Sequence, residues 1–151
     1  MLALQALCCC EAVGDAFQDQ LNDFLRDAHV HDDLGLDSPI DDEVLHFARD
    51  LVQNTWAARA AIDVLIVRRV TDWSIKRLTP IDRNILRLGV HELLHDPKRA
   101  IQVVINEAIE LAHKFGDKES PAFINGVLDA VRHEPEITRA QEQAGAALDQ
   151  E

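Results

Sequence analysis

The residues with the clearest potential for chemistry form the string His91-Glu92-Leu93-Leu94-His95. Two histidines four positions apart lie on one face of a helix, where they can share a zinc ion while the glutamate between them acts as a general base. The pattern fixes only three positions, Pro97 ends the helix soon afterwards, and no strand is predicted that could line a substrate cleft. The sequence therefore favours an ordinary helix. A zinc hydrolase is an alternative that stoichiometric bound metal would have to support.

Two other groups of residues have ligand-forming side chains. The run Cys8-Cys9-Cys10 falls in a predicted helix, so its side chains point about 100° apart and cannot converge on one metal. The histidines and aspartates within residues 29–33 are more typical of a solvated loop. The chain also lacks a glycine-rich phosphate loop and a nucleophile elbow. We predict no metal, no cofactor and no enzymatic activity.

A surface is a better candidate for function. Lys118 precedes a predicted helix that Ser120 is expected to cap, and Phe123 falls in its first turn. The N-terminus of a helix offers unpaired N–H groups and a positive dipole to an anion. An aromatic ring beside a lysine can stack on an unpaired base while its neighbours hold phosphate. Taken alone, Phe123 is also an ordinary core residue.

Charge is unevenly distributed along the chain. The formal net charge is −12, which argues against a nucleic-acid partner at first sight. Residues 68–118, however, hold ten basic and seven acidic side chains, whereas the segments on either side are strongly acidic. We call residues 68–118 the basic island. It is compatible with a mixed solvated surface and with a footprint for nucleic acid.

The apolar residues recur with helical periodicity throughout, and the pattern predicts an all-α bundle of about seven helices. Thr79 and Pro80 are a helix-start signature, and the helix that follows, to about His95, is apolar enough to lie at the centre of the fold. Ser38-Pro39 predicts another helix start, and Gly116 a helix end. The helical pattern after residue 42 continues towards Val67, with or without a break.

The composition predicts a single helical domain over residues 1–133 and a polar, disordered tail over residues 134–151. No apolar stretch approaches the ~20 residues that a bilayer requires. The three clustered cysteines do not form a secreted disulfide framework. We therefore expect a cytoplasmic protein without membrane contact.

Three strings in the second half resemble the NusB family of transcription antitermination proteins. The first runs from Thr79 to Leu94, the second from Val104 to Gly116, and the third from Ser120 to Asp129; the third reads SPAFINGVLD. A weaker similarity, ALQAL, lies at residues 3–7. Together the resemblance covers roughly residues 2–131.

The resemblance implies a NusB-like fold of two small three-helix lobes, an RNA-binding role in the transcription elongation complex, and no catalysis. It also implies pairing with NusE, a small-subunit ribosomal protein, and joint binding of single-stranded boxA RNA in ribosomal RNA operon transcripts. By position, Arg87, Lys118 and Phe123 match the family's RNA face, with Arg83 as a neighbour on the same helix. Asp82 matches part of its NusE-facing surface.

One departure from the family pattern leaves a second function open. NusB proteins usually carry an arginine-rich arm before the first helix, whereas Met1 falls inside that helix here. The alternative is a protein-interaction module that retains NusE binding but has lost most of its RNA affinity.

Overall fold

The computed structural model describes residues 1–27, 41–70 and 78–149. Within these ranges the chain is helical apart from short turns, which confirms the predicted all-α fold. The helices are α1 (Leu2–Val13), a 3-10 helix (Asp15–Gln20), α2 (Leu21–Arg26), α3 (Asp42–Ala57), α4 (Arg59–Arg69), α5 (Pro80–His95), α6 (Ile101–Phe115), α7 (Ser120–Val131) and α8 (Pro135–Asp149). The predicted helix start at Ser38-Pro39 and the histidines of residues 29–33 lie outside the described residues.

The helices form two compact units, Met1–Ala57 and Ala58–Glu151. In the first, α1 packs against α3 and buries Leu4 and Leu7 completely. Gly14 ends α1 with a positive φ of 91°, a conformation that costs glycine nothing. The indole N–H of Trp56 donates to Asp15 Oδ1 at 2.8 Å and so ties α3 to the 3-10 helix.

The second unit is built around α5, which packs against α4, α6, α7 and α8. Its predicted start is confirmed, because Thr79 Oγ1 accepts the backbone N–H of Asp82 at 3.2 Å and Pro80 occupies the first turn. Its apolar side chains are almost wholly buried, as expected for a central helix. The unit has five helices in the described ranges.

Helix α8 lies where the sequence predicts a disordered tail. It packs against α5, its Ile137 is fully buried, and Gln141 Nε2 donates to the backbone oxygen of Leu93 at 3.4 Å. The buried and half-buried positions 137, 140, 141 and 144 follow helical spacing. Two of them are alanines, which favour the helix but give only a weak apolar signal, so the sequence pattern did not reveal this helix.

Candidate nucleic-acid interface

Arg87 is anchored inside the second unit. Only 7% of the residue is exposed. Its Nε and Nη2 donate to Asp63 Oδ1 and Oδ2 of α4, each at 2.8 Å, and its Nη1 donates to Asn84 Oδ1 at 3.3 Å. Two parallel bonds between a guanidinium and a carboxylate are the strongest ion-pair geometry available to side chains. The pair joins α4 to α5, and a role of Arg87 in RNA binding stays a prediction.

The two neighbouring candidates on α5 are also held by the chain. Arg83 is half-buried, and its Nη1 donates to the backbone oxygen of Leu78 at 2.9 Å. Asp82 is 8% exposed, and its Oδ1 is buried with no hydrogen-bond partner among the described residues. A buried carboxylate oxygen without a hydrogen-bond partner is costly, and the role of Asp82 in partner binding stays a prediction.

Lys118 and Phe123 lie at the junction of α6 and α7. Lys118 is exposed in the turn between the two helices, and Phe123 is half-buried in the first turn of α7. The predicted cap is wrong in detail, because Ser120 is already helical. Asp117 does the capping: its Oδ1 accepts the backbone N–H groups of Glu119 and Ser120 at 3.0 and 3.2 Å.

This cap changes what the end of α7 can bind. Ser120 Oγ also donates to Asp117 Oδ1 at 3.2 Å and accepts the backbone N–H of Asp117 at 3.1 Å. We call this arrangement the Asp117–Ser120 turn. Because a carboxylate already occupies the first N–H groups and Pro121 has none, this helix end does not offer the open anion site that the sequence predicts. What it presents is the Lys118 ammonium and the partly exposed ring of Phe123.

Much of the positive charge of the basic island is balanced within the second unit. Arg99 bonds to Glu92 Oε2 at 3.1 Å and to Glu107 Oε1 at 2.6 Å. Arg68 and Arg69 both bond to Glu134, at 3.3 and 2.8 Å. A count of basic residues therefore overstates the cationic surface that the island presents.

The histidine string lies at the end of α5, where His91 is buried and His95 is exposed. His91 is buried, and its ring centroid lies 4.6 Å from that of His95. Burial, followed by the nearby charge of His95, lowers the pKa of His91 to about 4. In the described ranges no three or more His, Cys, Asp or Glu side chains are grouped so that they could hold a metal ion.

The shifted pKa of His91 predicts a pH-dependent stability. Because the folded-state value of about 4 lies below the ordinary value of about 6.5, the fold favours the neutral ring. The contribution of the neutral His91 ring to the free energy of unfolding is complete above pH ~6.5 and is lost as the pH falls towards 4. We expect His91→Phe to flatten the fall in Tm between these pH values, measured by circular dichroism. The exposed His113, replaced by Phe, is the control; equal slopes for both variants and the wild type would contradict the assignment.

Comparisons with known proteins agree on one family. The NusB family model matches residues 1–133. The chain is 41% identical over 128 residues to the transcription antitermination protein NusB of Trichlorobacter lovleyi, spanning 85% of this chain and 83% of that protein. It is 47% identical over 91 residues to NusB of Myxococcus xanthus, spanning 60% of this chain and 65% of that protein.

A solved structure of NusB from Thermotoga maritima superposes with a TM-score of 0.76 at 31% identity. The superposition covers 93% of this chain and 92% of that one. Among the described helices, none is long and apolar enough to cross a membrane. The family match, the relatives and the fold lead to one conclusion: the chain belongs to the NusB family of transcription antitermination proteins.

Proposed function

We propose that this chain is an RNA-binding antitermination factor that pairs with NusE and binds boxA RNA within the transcription elongation complex. The observation that carries the proposal is the exposed Lys118 on the hydrogen-bonded Asp117–Ser120 turn, followed by the half-buried Phe123 in the first turn of α7. A lysine contributes charge to a phosphate, and an aromatic ring stacks on an unpaired base. This role includes no catalytic step, and we propose that the protein acts in the cytoplasm.

The acidic composition supports joint binding with a partner. A chain with a net charge of −12 repels a polyanion at long range, so a small cationic and aromatic contact is insufficient by itself. A basic partner held beside that contact raises the local RNA affinity by effective concentration. Asp82, whose Oδ1 has no hydrogen-bond partner among the described residues, is our proposed contribution to the NusE-facing surface.

The second candidate function is a protein-interaction module that keeps NusE and binds RNA weakly. The observation that favours it is the pairing of Arg68, Arg69, Arg87 and Arg99 with the chain's own carboxylates. Under this alternative the surface around Lys118 makes no energetic contribution to RNA binding.

The test measures RNA affinity of the complex with NusE, using boxA RNA and a scrambled RNA of the same composition. Phe123→Ala is expected to weaken boxA binding roughly fivefold to a hundredfold, because stacking is worth about 1–3 kcal/mol per base. Lys118→Ala should reduce the slope of log affinity against log salt by ~0.7. The control is Lys98→Ala, which removes another exposed lysine, from the turn before α6.

Two outcomes separate the candidates. If the complex shows no preference for boxA over the scrambled RNA, RNA recognition as proposed is wrong. If NusE binds normally while both variants leave RNA binding unchanged, the interaction module is correct. Phe123→Leu keeps apolar packing without an aromatic face, so a loss shared by Phe123→Ala and Phe123→Leu is a loss of stacking rather than of folding.

A further inference from the structure

The segment from Glu134 to Gln141 covers the arginine pair at the end of α4. Glu134 is 5% exposed, and its two carboxylate oxygens receive Arg69 Nε at 2.8 Å and Arg68 Nη1 at 3.3 Å. Arg68 Nη1 also donates to Glu136 Oε1 at 3.0 Å. Arg68 and Arg69, the last two residues of α4, are thus bound by one glutamate just before α8 and one in its first turn.

The arginines themselves lie at the surface. The side chains of Arg68 and Arg69 are 47% and 37% exposed even with the glutamates in place. Adjacent arginines at a surface are a common contact for phosphate, because each guanidinium offers several donors to oxygen anions. Without the glutamates, this pair would be the most concentrated positive charge on α4.

The covering segment is held to the second unit by its ion pairs, by the buried Ile137 and by Gln141. The backbone oxygen of Glu134 accepts N–H groups from Ile137 and Thr138 and so starts α8. Beyond the ion pairs, Ile137 is the buried residue of that helix, and Gln141 adds one bond to α5. The Arg68–Glu136 pair is exposed on both sides, by 47% and 40%, so it is weak and sensitive to salt, and a competing polyanion can displace it. The side chain of Glu134 is only 7% exposed, so its two ion pairs open only if the start of the covering segment moves. Glu134 and α8 also lie beyond the residues that match the family model.

We infer that this acidic segment is an autoinhibitory cover, in which Glu134 and Glu136 occupy a phosphate-binding site formed by Arg68 and Arg69. The natural ligand of the uncovered site is the backbone of single-stranded RNA, so the inference rests on the proposed RNA-binding function. Opening requires that the two carboxylates leave the guanidinium groups, and because Glu134 is buried, the start of the covering segment has to move with it. The rest of the second unit keeps its buried core, which α5, α6 and α7 provide.

The charges of Glu136 and Arg68 are consistent with this cover. A backbone N–H and then Arg68 lower the pKa of Glu136, while Glu136 raises the pKa of Arg68. Both groups are therefore charged at neutral pH, and the cover is electrostatic. The carboxylates of the cover compete with phosphate for the same guanidinium N–H groups. RNA therefore cannot bind Arg68 and Arg69 while the glutamates do.

The experiment uses the full chain and a fluorescent single-stranded RNA over a salt series. Glu134→Gln with Glu136→Gln is expected to bind about tenfold more tightly than the wild type at low salt. The salt slope should steepen by up to ~1.4, because two arginines become available at ~0.7 for each phosphate contact. Glu136→Gln alone should give a smaller gain in the same direction, and it changes only the more exposed acid.

The matched control is Glu142→Gln with Asp149→Asn, which changes the net charge equally at exposed positions of the same helix. We expect less than a twofold gain from it. Adding Arg68→Gln and Arg69→Gln to the first double variant should abolish its gain. An equal gain in the control, or no gain in the first double variant, overturns the cover. Loss of boxA preference in the NusE complex would instead refute the proposed function, which these variants do not test.

Discussion

Asp63→Ala is expected to destabilise the second unit by about 3–5 kcal/mol, because it removes one partner of a buried ion pair. The side chain of Arg87 is 9% exposed, and two of its hydrogen bonds, each 2.8 Å long, end on this carboxylate. Asn84 Oδ1 also accepts from Arg87 at 3.3 Å, but a neutral amide oxygen cannot replace an ionised partner. Such a loss is a large part of the stability of an ordinary domain, about 5–15 kcal/mol. Urea unfolding followed by circular dichroism measures it.

A surface ion pair provides the control for this prediction. Asp129 lies 3.9 Å from Arg132 on α7, and 66% of its side chain is exposed. Asp129→Ala should change the free energy of unfolding by less than ~1 kcal/mol. The double variant Asp63→Leu with Arg87→Met, which removes both charges, should recover much of the loss of the single variant. If Asp63→Ala costs no more than Asp129→Ala, the buried pair is not holding α4 to α5.

Gly116→Ala should destabilise the second unit by about 1–3 kcal/mol through overpacking. A Cβ atom at this position would lie 2.6 Å from Ser120 Cβ and Oγ and 2.8 Å from the backbone oxygen of Ala112. These atoms are a backbone oxygen and the first atoms of a short side chain, so they cannot move aside cheaply. The sequence marked Gly116 as a helix end, and the structure gives the reason. Its φ of −86° suits any residue, so the requirement is for close approach.

Gly126 provides the control for Gly116, because an added methyl group would meet no neighbouring atom there. It lies inside α7 with nothing within 4 Å of an added Cβ. Gly126→Ala should therefore stabilise the unit by about 0.8–1 kcal/mol, the difference in helix propensity. Thermal and urea unfolding of the two variants should shift in opposite directions. Stabilisation by Gly116→Ala as well would show that the turn rearranges freely.

Much of the fold can be predicted from the sequence because the signals that start, end and bury its helices are local. The N-cap at Thr79, the proline after it and the apolar periodicity of α5 each act over a few residues, so the pattern is sufficient to predict them. The Asp117 cap was missed although its signal is also local. Aspartate is a favoured capping residue, and Asp117 precedes the first helical residue by three positions. The sequence analysis assigned the cap to Ser120 instead, because a serine followed by a proline is also typical of a helix start.

The candidate site was harder to predict because its chemistry depends on residues far apart in the chain. Arg87 stands on a polar stripe of α5, which is equally typical of an exposed face and of a buried ion pair. Only the fold brings Asp63, 24 positions earlier, to its guanidinium. The same holds for Arg69 and Glu134, which are 65 positions apart. Counting charges along the sequence therefore gives the composition of the basic island, but it does not show which of its basic side chains are paired with carboxylates.

The Asp117–Ser120 turn has a consequence for the thermodynamics of recognition. Its hydrogen bonds and the tight contact at Gly116 fix the backbone that carries Lys118 and precedes Phe123. A loop that orders only on binding spends about 1–2 kcal/mol of conformational entropy for each residue it fixes. Here folding has already met that cost, so the contact that we propose for RNA is preorganised. Under that proposal, the entropy lost on association should come mainly from the single-stranded RNA.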